Sequence, residues 1–536
     1  MSPHTVHVAA PLLQPEEVDP EASMNFASPA NLEVDHDALI GDELTTERAI
    51  DNNPTIANLG NTPFSDDGDE AEYHKIVATE VVPDPVQWSE PEPILQNALV
   101  LVDPRIADCR EMIASANRRG LFVTAVVPKP NLSGKKVEYY PTTEALLEVG
   151  VHQVYEPPLG SHFDVIECAN HLQTLESQQN LRYLGVIPLR EAAVDISDVL
   201  AALLGLAVHN DLGLSSARRD KGLMKLNVAN AGLRVAKFAR LTAPDGSDVP
   251  DAIKNLELDF PVVVKTPRGM STIGVYICQS MEEVVKRSGE IVRSVGPDGK
   301  KALFALLEEF IEGDEFAVNI VASPTTPRGV QVTDVWWYNK VLSEGTYVNT
   351  WQDMVDPHDS KYSNLVRYGE GIARAVGIKY GFAHVELKAE YDAAKDKYVD
   401  PVMIEVGARL AGGRKAIMAQ ATVPGWLPFD AMVDAHCGFP VRVPPSFRPV
   451  GKARHVFIPS DKAGTVKSMK GTDFDRLGTY NAHVMMVELG QKVKKSTDLL
   501  SFAGYCWLIG SEEDVERDTK SARGEFVVEV EEQQES

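Results

Sequence analysis

The sequence predicts a mixed fold, α/β in its first part and α+β beyond it. Three observations predict this. Between about 96 and 206, short apolar runs alternate with helical stretches, the strand–helix–strand signature of a parallel sheet. After about 300, apolar residues alternate with period two in runs joined by short polar turns, as antiparallel strands do. Past the proline-rich stretch VRVPPSFRPVG at 441–451, short strand-like runs dominate again.

The 536 residues suffice for about three domains of ordinary size. The net charge is −26, unevenly spread: Met1–Glu92 holds 20 acidic residues against Arg48 and Lys75 alone. High charge with scattered apolar residues predicts an acidic, largely disordered extension over 1–93. The remainder is mildly acidic and has no basic stripe, which argues against nucleic acid as a partner. No run of about 18 apolar residues predicts a membrane span, and no secretory signal is evident at Met1. The five cysteines are far apart with no CxxC pair, so neither a disulfide scaffold nor a structural zinc site is expected. A reducing, cytoplasmic setting follows.

In chain order, Ala98–Val102 is a strand, Ile106–Asn117 a helix and Leu121–Val127 a second strand. Phe163–Cys168, Leu184–Pro188 and Ile196–Leu206 continue the pattern. No GxGxxG follows the first strand, so 94–211 is a small α/β domain without its own nucleotide motif. Next comes a helix capped by Ser215 and Ser216 and closing near Gly232. Arg218, Arg219, Lys221 and Lys225 crowd its first turns, where the helix dipole disfavours cations. A phosphate partner explains the placement; a solvated basic face is the alternative.

Phe260–Lys265 is a clear strand that runs into the loop TPRGMSTIG and a second strand, Val275–Cys278. Gly269 and Gly274 allow backbone N–H groups to approach phosphate oxygens, Arg268, Ser271 and Thr272 stand in the same loop, and Lys265 supplies a point charge. The loop is not a Walker A sequence, and a plain hairpin loop is the rival reading. Lys300–Phe310 is a further strand passing into EEFIEGDEF. Peptide groups there suit an adenine edge, and Glu315 stands where it could reach a ribose. Phe316–Ala322 and Val330–Val341 are antiparallel strands, with Trp336 and Trp337 as core or cleft wall.

Phe382–Arg414 holds two more alternating runs. Ala383, Val385 and Leu387 share one face, and His384, Glu386 and Lys388 the other. Val402, Ile404 and Val406 oppose Met403, Glu405, Gly407 and Arg409 in the same way. If the apolar faces coincide, Glu386 and Glu405 emerge on one side of one sheet, with Arg409 just beyond. Two carboxylates and a cation there suit a metal–phosphate site, because Mg²⁺ prefers hard oxygen ligands shared with phosphates. On spacing alone, a solvated sheet face fits equally well.

Taken in order, RRDK, FPVVVK with its glycine-rich loop, EEFIEGDEF, HVE and EVGARLAGG resemble the ATP-grasp superfamily, nearest to its amino-acid (dipeptide) ligases and other carboxylate–amine ligases. The resemblance covers about 95–525. It implies an ATP-grasp fold with a pre-ATP-grasp domain at 94–211 and an ATP-grasp domain at 212–440, whose lid spans about 240–312. A small β-rich domain at 441–525 and an acidic tail at 526–536 follow. It implies ATP and Mg²⁺ (or Mn²⁺) as cofactors. Lys221 and Lys265 match the lysines on the nucleotide phosphates, and Arg268, Gly269, Met270, Ser271, Thr272 and Gly274 the loop that closes over them. Glu308, Glu309, Phe310 and Ile311 match the adenine linker, Glu315 the ribose carboxylate, and Glu386 and Glu405 the metal carboxylates. Arg409 matches the arginine facing the transferred phosphoryl group, and Arg414 lies in the segment that holds the substrate.

The implied function is ATP-dependent joining of a carboxylate to an amine through an acyl phosphate. The implied partners are small molecules, amino acids among them, and a homodimer is common among such relatives. One departure stands out: the family's Glu-x-Asn reads Glu405-Val406-Gly407 here, and glycine supplies no side-chain oxygen. Water or another residue then completes a second metal site, or the protein is a catalytically silent nucleotide binder. A third reading passes the acyl phosphate to a different acceptor.

Overall fold

The computed structural model describes residues 95–128, 140–158, 161–269, 274–294, 301–343, 346–497 and 501–531. The disordered extension expected over 1–93 lies outside them, as do Met270, Ser271 and Thr272.

The first layer comprises β1 (Gln96–Val102), α1 (Ile106–Asn117), β2 (Phe122–Val126), α2 (Thr143–Glu148), β3 (Gln153–Tyr155), α3 (Val165–Gln179), β4 (Leu181–Pro188) and α4 (Val194–Leu203). The strands form a parallel sheet in the order β3-β2-β1-β4. Its apolar runs are buried, since parallel strands are covered on both faces. Phe163–Cys168 runs into α3, because the Asp164 side chain accepts from the amides of Ile166 and Glu167 and starts a helix. Ile196–Leu206 is mostly α4.

The second unit begins with α5 (Lys221–Asn230), β5 (Phe238–Leu241), α6 (Val249–Leu256), β6 (Val262–Lys265), β7 (Val275–Cys278), α7 (Met281–Arg293) and β8 (Ala305–Glu309). Helix α5 starts five residues later than the Ser215 cap suggested. The Asp220 carboxylate accepts from the amides of Gly222 and Leu223, whereas Ser215 leads only into a short 3₁₀ turn at Ser216–Arg218. Arg218 and Arg219 therefore precede the helix, and Lys221 is its first residue. Strands β5-β8-β6-β7 make a small antiparallel sheet. Val249, Ile253, Val284 and Ile291 from α6 and α7 pack with its Val262, Val264 and Leu307.

The largest sheet draws on β9 (Asp314–Ala322), β10 (Val330–Ser343), β11 (Thr346–Val355), β12 (Gly381–Asp392) and β13 (Lys397–Gly407), with α8 (Ser363–Ala375) against them. Helices α9 (Lys415–Thr422) and α10 (Pro428–Cys437) then lead to β14 (Lys452–Ile458), β15 (Gly464–Lys470), β16 (Tyr480–Met485), β17 (Lys492–Val493), β18 (Gly504–Gly510), α11 (Glu512–Gly524) and β19 (Val527–Glu531). Eight strands pair in the order β13-β12-β9-β10-β11-β14-β18-β16. The boundary expected at 441 is therefore crossed by strand pairing: Trp351, Gln352 and Asp353 of β11 face Val456, His455 and Arg454 of β14. Arg454 grips Asp353 at 2.6 and 2.8 Å with both groups buried. Part of the expected acidic tail is also strand. Val528 and Val530 are half-buried between exposed neighbours, and β19 pairs with β15 in a separate three-stranded sheet.

All five cysteines are free and buried. Among the described residues, no helix is long and apolar enough to cross a membrane.

Candidate active site between two antiparallel sheets

The two carboxylates expected on one face stand directly opposite each other, Glu386 on β12 against Glu405 on β13. Antiparallel pairing forces the juxtaposition, since cross-strand partners point the same way. Glu386 accepts from the Tyr338 hydroxyl at 3.3 Å and lies 3.4 Å from His384 Nε2. Burial pushes its carboxyl up, but the His384 contact, Lys340 and Lys415 outweigh this and hold it below the ordinary carboxylate range. His384 is itself hydrogen-bonded to Asn319 at 2.7 Å.

Cations approach β13 from two directions. Lys221, at the start of α5, lies 2.9 Å from Glu405 and donates to the Gly269 carbonyl at 3.0 Å. Lys265, at the end of β6, crosses from the small sheet to the Ile404 carbonyl at 3.4 Å and to Glu308 at 3.0 Å. Glu308 also pairs with Lys225 at 3.3 Å. Both lysines and the glutamate are almost wholly buried. Burial pushes the Lys225 ammonium down to about 8 despite Glu308. The Glu308 carboxyl is pushed up by burial but held low by Lys225 and Lys265. Its Oε1 has no hydrogen-bond partner among the described residues.

The linker after β8 borders a cleft of about 200 Å³ lined by Arg234, Glu309, Phe310, Ile311, Ala389 and Val402 among others. Glu309 accepts from the Lys237 amide at 3.0 Å. Glu315 is paired with Lys340 at 2.6 Å. Arg268 reaches Asp195 of α4 at 3.4 Å, and the Gly274 carbonyl closes the loop base by accepting from Thr266. Arg409 donates from Nε to Glu191 at 2.8 Å. Arg414 lies over the Trp507 ring at 5.5 Å.

Three neighbours had no assigned role in the sequence reading, and a fourth, Lys225, was grouped there only as one of the helix's first-turn cations. Lys388 donates to the Ile311 carbonyl at 2.9 Å, and its place two residues past Glu386 was a usable signal. Lys225 follows Lys221 by one helical turn, so its direction was also legible. Lys340 and Glu191 carried no local signal.

The donor set fits a hard divalent cation, because both facing side chains are carboxylates. Among the described residues no group of three or more His, Cys, Asp or Glu converges to hold a metal. Two facing carboxylates alone would give only part of a coordination shell, which is compatible with Mg²⁺ because that ion keeps waters and shares phosphate oxygens.

The chain carries an ATP-grasp domain, matched over residues 258–416. It is 29% identical over 245 residues to dapdiamide A synthase of Enterobacter agglomerans, covering 45% of this chain and 54% of that one. It is 34% identical over 137 residues to a D-alanine–D-alanine ligase of Desulforudis audaxviator, covering 25% and 42%. The chain thus spans about half or less of the length of these curated relatives. The crystal structure of an L-amino acid ligase from Bacillus licheniformis superposes with a TM-score of 0.62 at 19% identity, over 82% of this chain and 99% of that one. That likeness shows a shared fold.

Proposed function

We propose that this protein is an ATP-dependent carboxylate–amine ligase acting on amino acids. The observation that carries the reading is the opposed Glu386–Glu405 pair, with Lys221 from the start of α5 on Glu405 and Lys265 from the small sheet on the neighbouring Ile404 carbonyl. The amide-forming names of the relatives support the reaction class, and their amino-acid substrates support the substrate class.

A carboxylate oxygen of the acid attacks the terminal phosphorus of ATP, the bond to the bridging oxygen breaks, and ADP leaves. The amine nitrogen then attacks the acyl carbon, loses a proton, and phosphate departs. Glu386 and Glu405 would hold Mg²⁺, which when bound would neutralise phosphate charge. Lys221 and Lys265 neutralise further charge, and Arg409 meets the phosphoryl group in flight. The linker Glu308–Ile311 takes the adenine and Glu315 the ribose. The loop 268–274 excludes water from the acyl phosphate. Arg414 lies on the acid's side. The five free cysteines suit a cytoplasmic setting.

The test is phosphate release from Mg·ATP with pooled amino acids, followed by mass-spectrometric detection of an amide. Amide formation coupled to phosphate release is expected. ATP binding without turnover on any acid–amine pair would favour the silent nucleotide binder. Turnover giving a thioester or carboxylated product would favour the third reading.

A further inference from the structure

Gly407 ends β13 two residues past Glu405, and its backbone conformation is one any residue adopts, since its φ is not in the left-handed range. The glycine is therefore there for space. A Cβ at this position would lie 2.8 Å from Glu191 Oε2, nearer than side-chain carbons come to any atom. Glu191 belongs to a different part of the fold. It follows β4 of the parallel sheet and opens the 3₁₀ turn Glu191–Ala193.

The carboxylate filling this notch is engaged at both ends. Oε2 accepts from Arg409 Nε at 2.8 Å, and Oε1 from Arg219 Nη1 at 3.2 Å. Arg409 Nη1 donates to the Leu410 carbonyl at 2.8 Å. Two of the three guanidinium nitrogens are thus fixed, which leaves Nη2 as the nitrogen without a hydrogen bond among the described residues. A planar guanidinium held at two corners has one orientation, whereas a free arginine samples many rotamers. Burial pushes the Glu191 carboxyl up, but Arg409, Arg219 and Lys221 outweigh this and keep it ionised.

We propose that Glu191 is a positioning residue that aims Arg409 at the phosphoryl group, and that Gly407 is the notch that admits it. The proposal rests on the ligase reading for what Arg409 is aimed at. The parallel sheet thereby acts on the chemistry of the ATP-grasp domain, through a contact that no local sequence pattern announces.

The test is a set of variants, Glu191→Gln, Gly407→Ala and both together, assayed by ATP-dependent phosphate release. Each single change is expected to lower kcat by about 100-fold, the scale of a small misplacement of a reacting group, with KM for ATP within about twofold. The double variant should be no worse than the worse single one, because both changes break the same contact. A neutral Gly407→Ala, or additive losses, would overturn the notch. Mn²⁺ bound per protein in the presence of a non-hydrolysable ATP analogue should be the same in Glu191→Gln as in the parent. A lower stoichiometry would make Glu191 a metal ligand and overturn the positioning role. If no acid–amine pair turns over, the ligase reading fails on its own. The contact is then read from urea midpoints of Glu191→Gln, Arg409→Gln and the double variant. Non-additive shifts support it, and additive ones overturn it.

Discussion

Glu308 lies between Lys265, at 3.0 Å, and Lys225, at 3.3 Å, with all three side chains buried. One carboxylate thus keeps two ammonium groups apart beneath the proposed phosphate site. Glu308→Gln removes the charge but keeps the shape, leaving two like charges in a low-dielectric interior. Breaking a buried pair in this way costs about 3–5 kcal/mol. Urea unfolding of the variant should show a loss of that size, and an unchanged midpoint would mean that the lysines find other partners.

Glu405→Ala should leave stability nearly intact and remove turnover. The Glu405 side chain is 32% exposed, so its pair with Lys221 contributes at most about 1 kcal/mol. Removing a group that manages charge in the transition state lowers kcat by at least about 100-fold. Phosphate-release kinetics beside a thermal melt separates the two effects. Full retained activity would sink the metal role of Glu405.

Two buried histidines predict a loss of stability in mild acid. Burial pushes His436 down to about 4, and burial with the nearby Lys415 charge pushes His455 well below the ordinary range. Neither ring nitrogen of His455 has a hydrogen-bond partner among the described residues. The unfolded chain binds protons near pH 6.5 that the folded chain refuses. Stability is therefore full above that pH and falls as pH drops toward about 4, by about 2 kcal/mol per histidine between about pH 7.5 and about pH 5. His455→Phe suits a site whose ring is already stacked on Trp507 at 4.8 Å and tilted against Phe457 at 4.4 Å. It should remove about half of this dependence in urea titrations. An unaltered pH profile would show that His455 is protonated in the folded protein.

The Asp353–Arg454 pair should bind the C-terminal strands energetically to the large sheet. Asp353→Ala leaves a guanidinium buried against the Trp351 ring at 4.8 Å, with Glu516 as its remaining carboxylate at 2.8 Å. A loss of about 3–5 kcal/mol is expected, with fluorescence and far-UV circular dichroism following one transition. A separate early transition for 441–531 would instead restore the independent domain expected from the proline-rich boundary.

Local pattern carried much of the site. Period two put Glu386 and Glu405 on matching faces once the apolar faces coincide, but it misplaced Met403, which a register shift between Glu386 and Leu387 turns into the core beside Val406. The strand ending in Lys265 and the linker from Glu308 were legible from local pattern too. The start of α5 was misjudged, since Ser215, Ser216 and Asp220 are all competent caps and only the folded chain selects Asp220. The tail was misjudged because its acidic residues hide the Val528–Val530 alternation that pairs it with β15.

What the sequence by itself determined is the set of chemical groups and the face of each strand on which they stand, since both depend on neighbours within a few residues. Only the tertiary structure decided which charges meet. Glu191 reaches Arg409 across 218 positions of chain, and Lys265 reaches Ile404 across 139. Such contacts depend on how one sheet packs against another, and that packing is set by whole buried faces. Gly407 belongs to both halves: its missing side chain is plain in the sequence, but the carboxylate that fills its place comes from the 3₁₀ turn beyond β4.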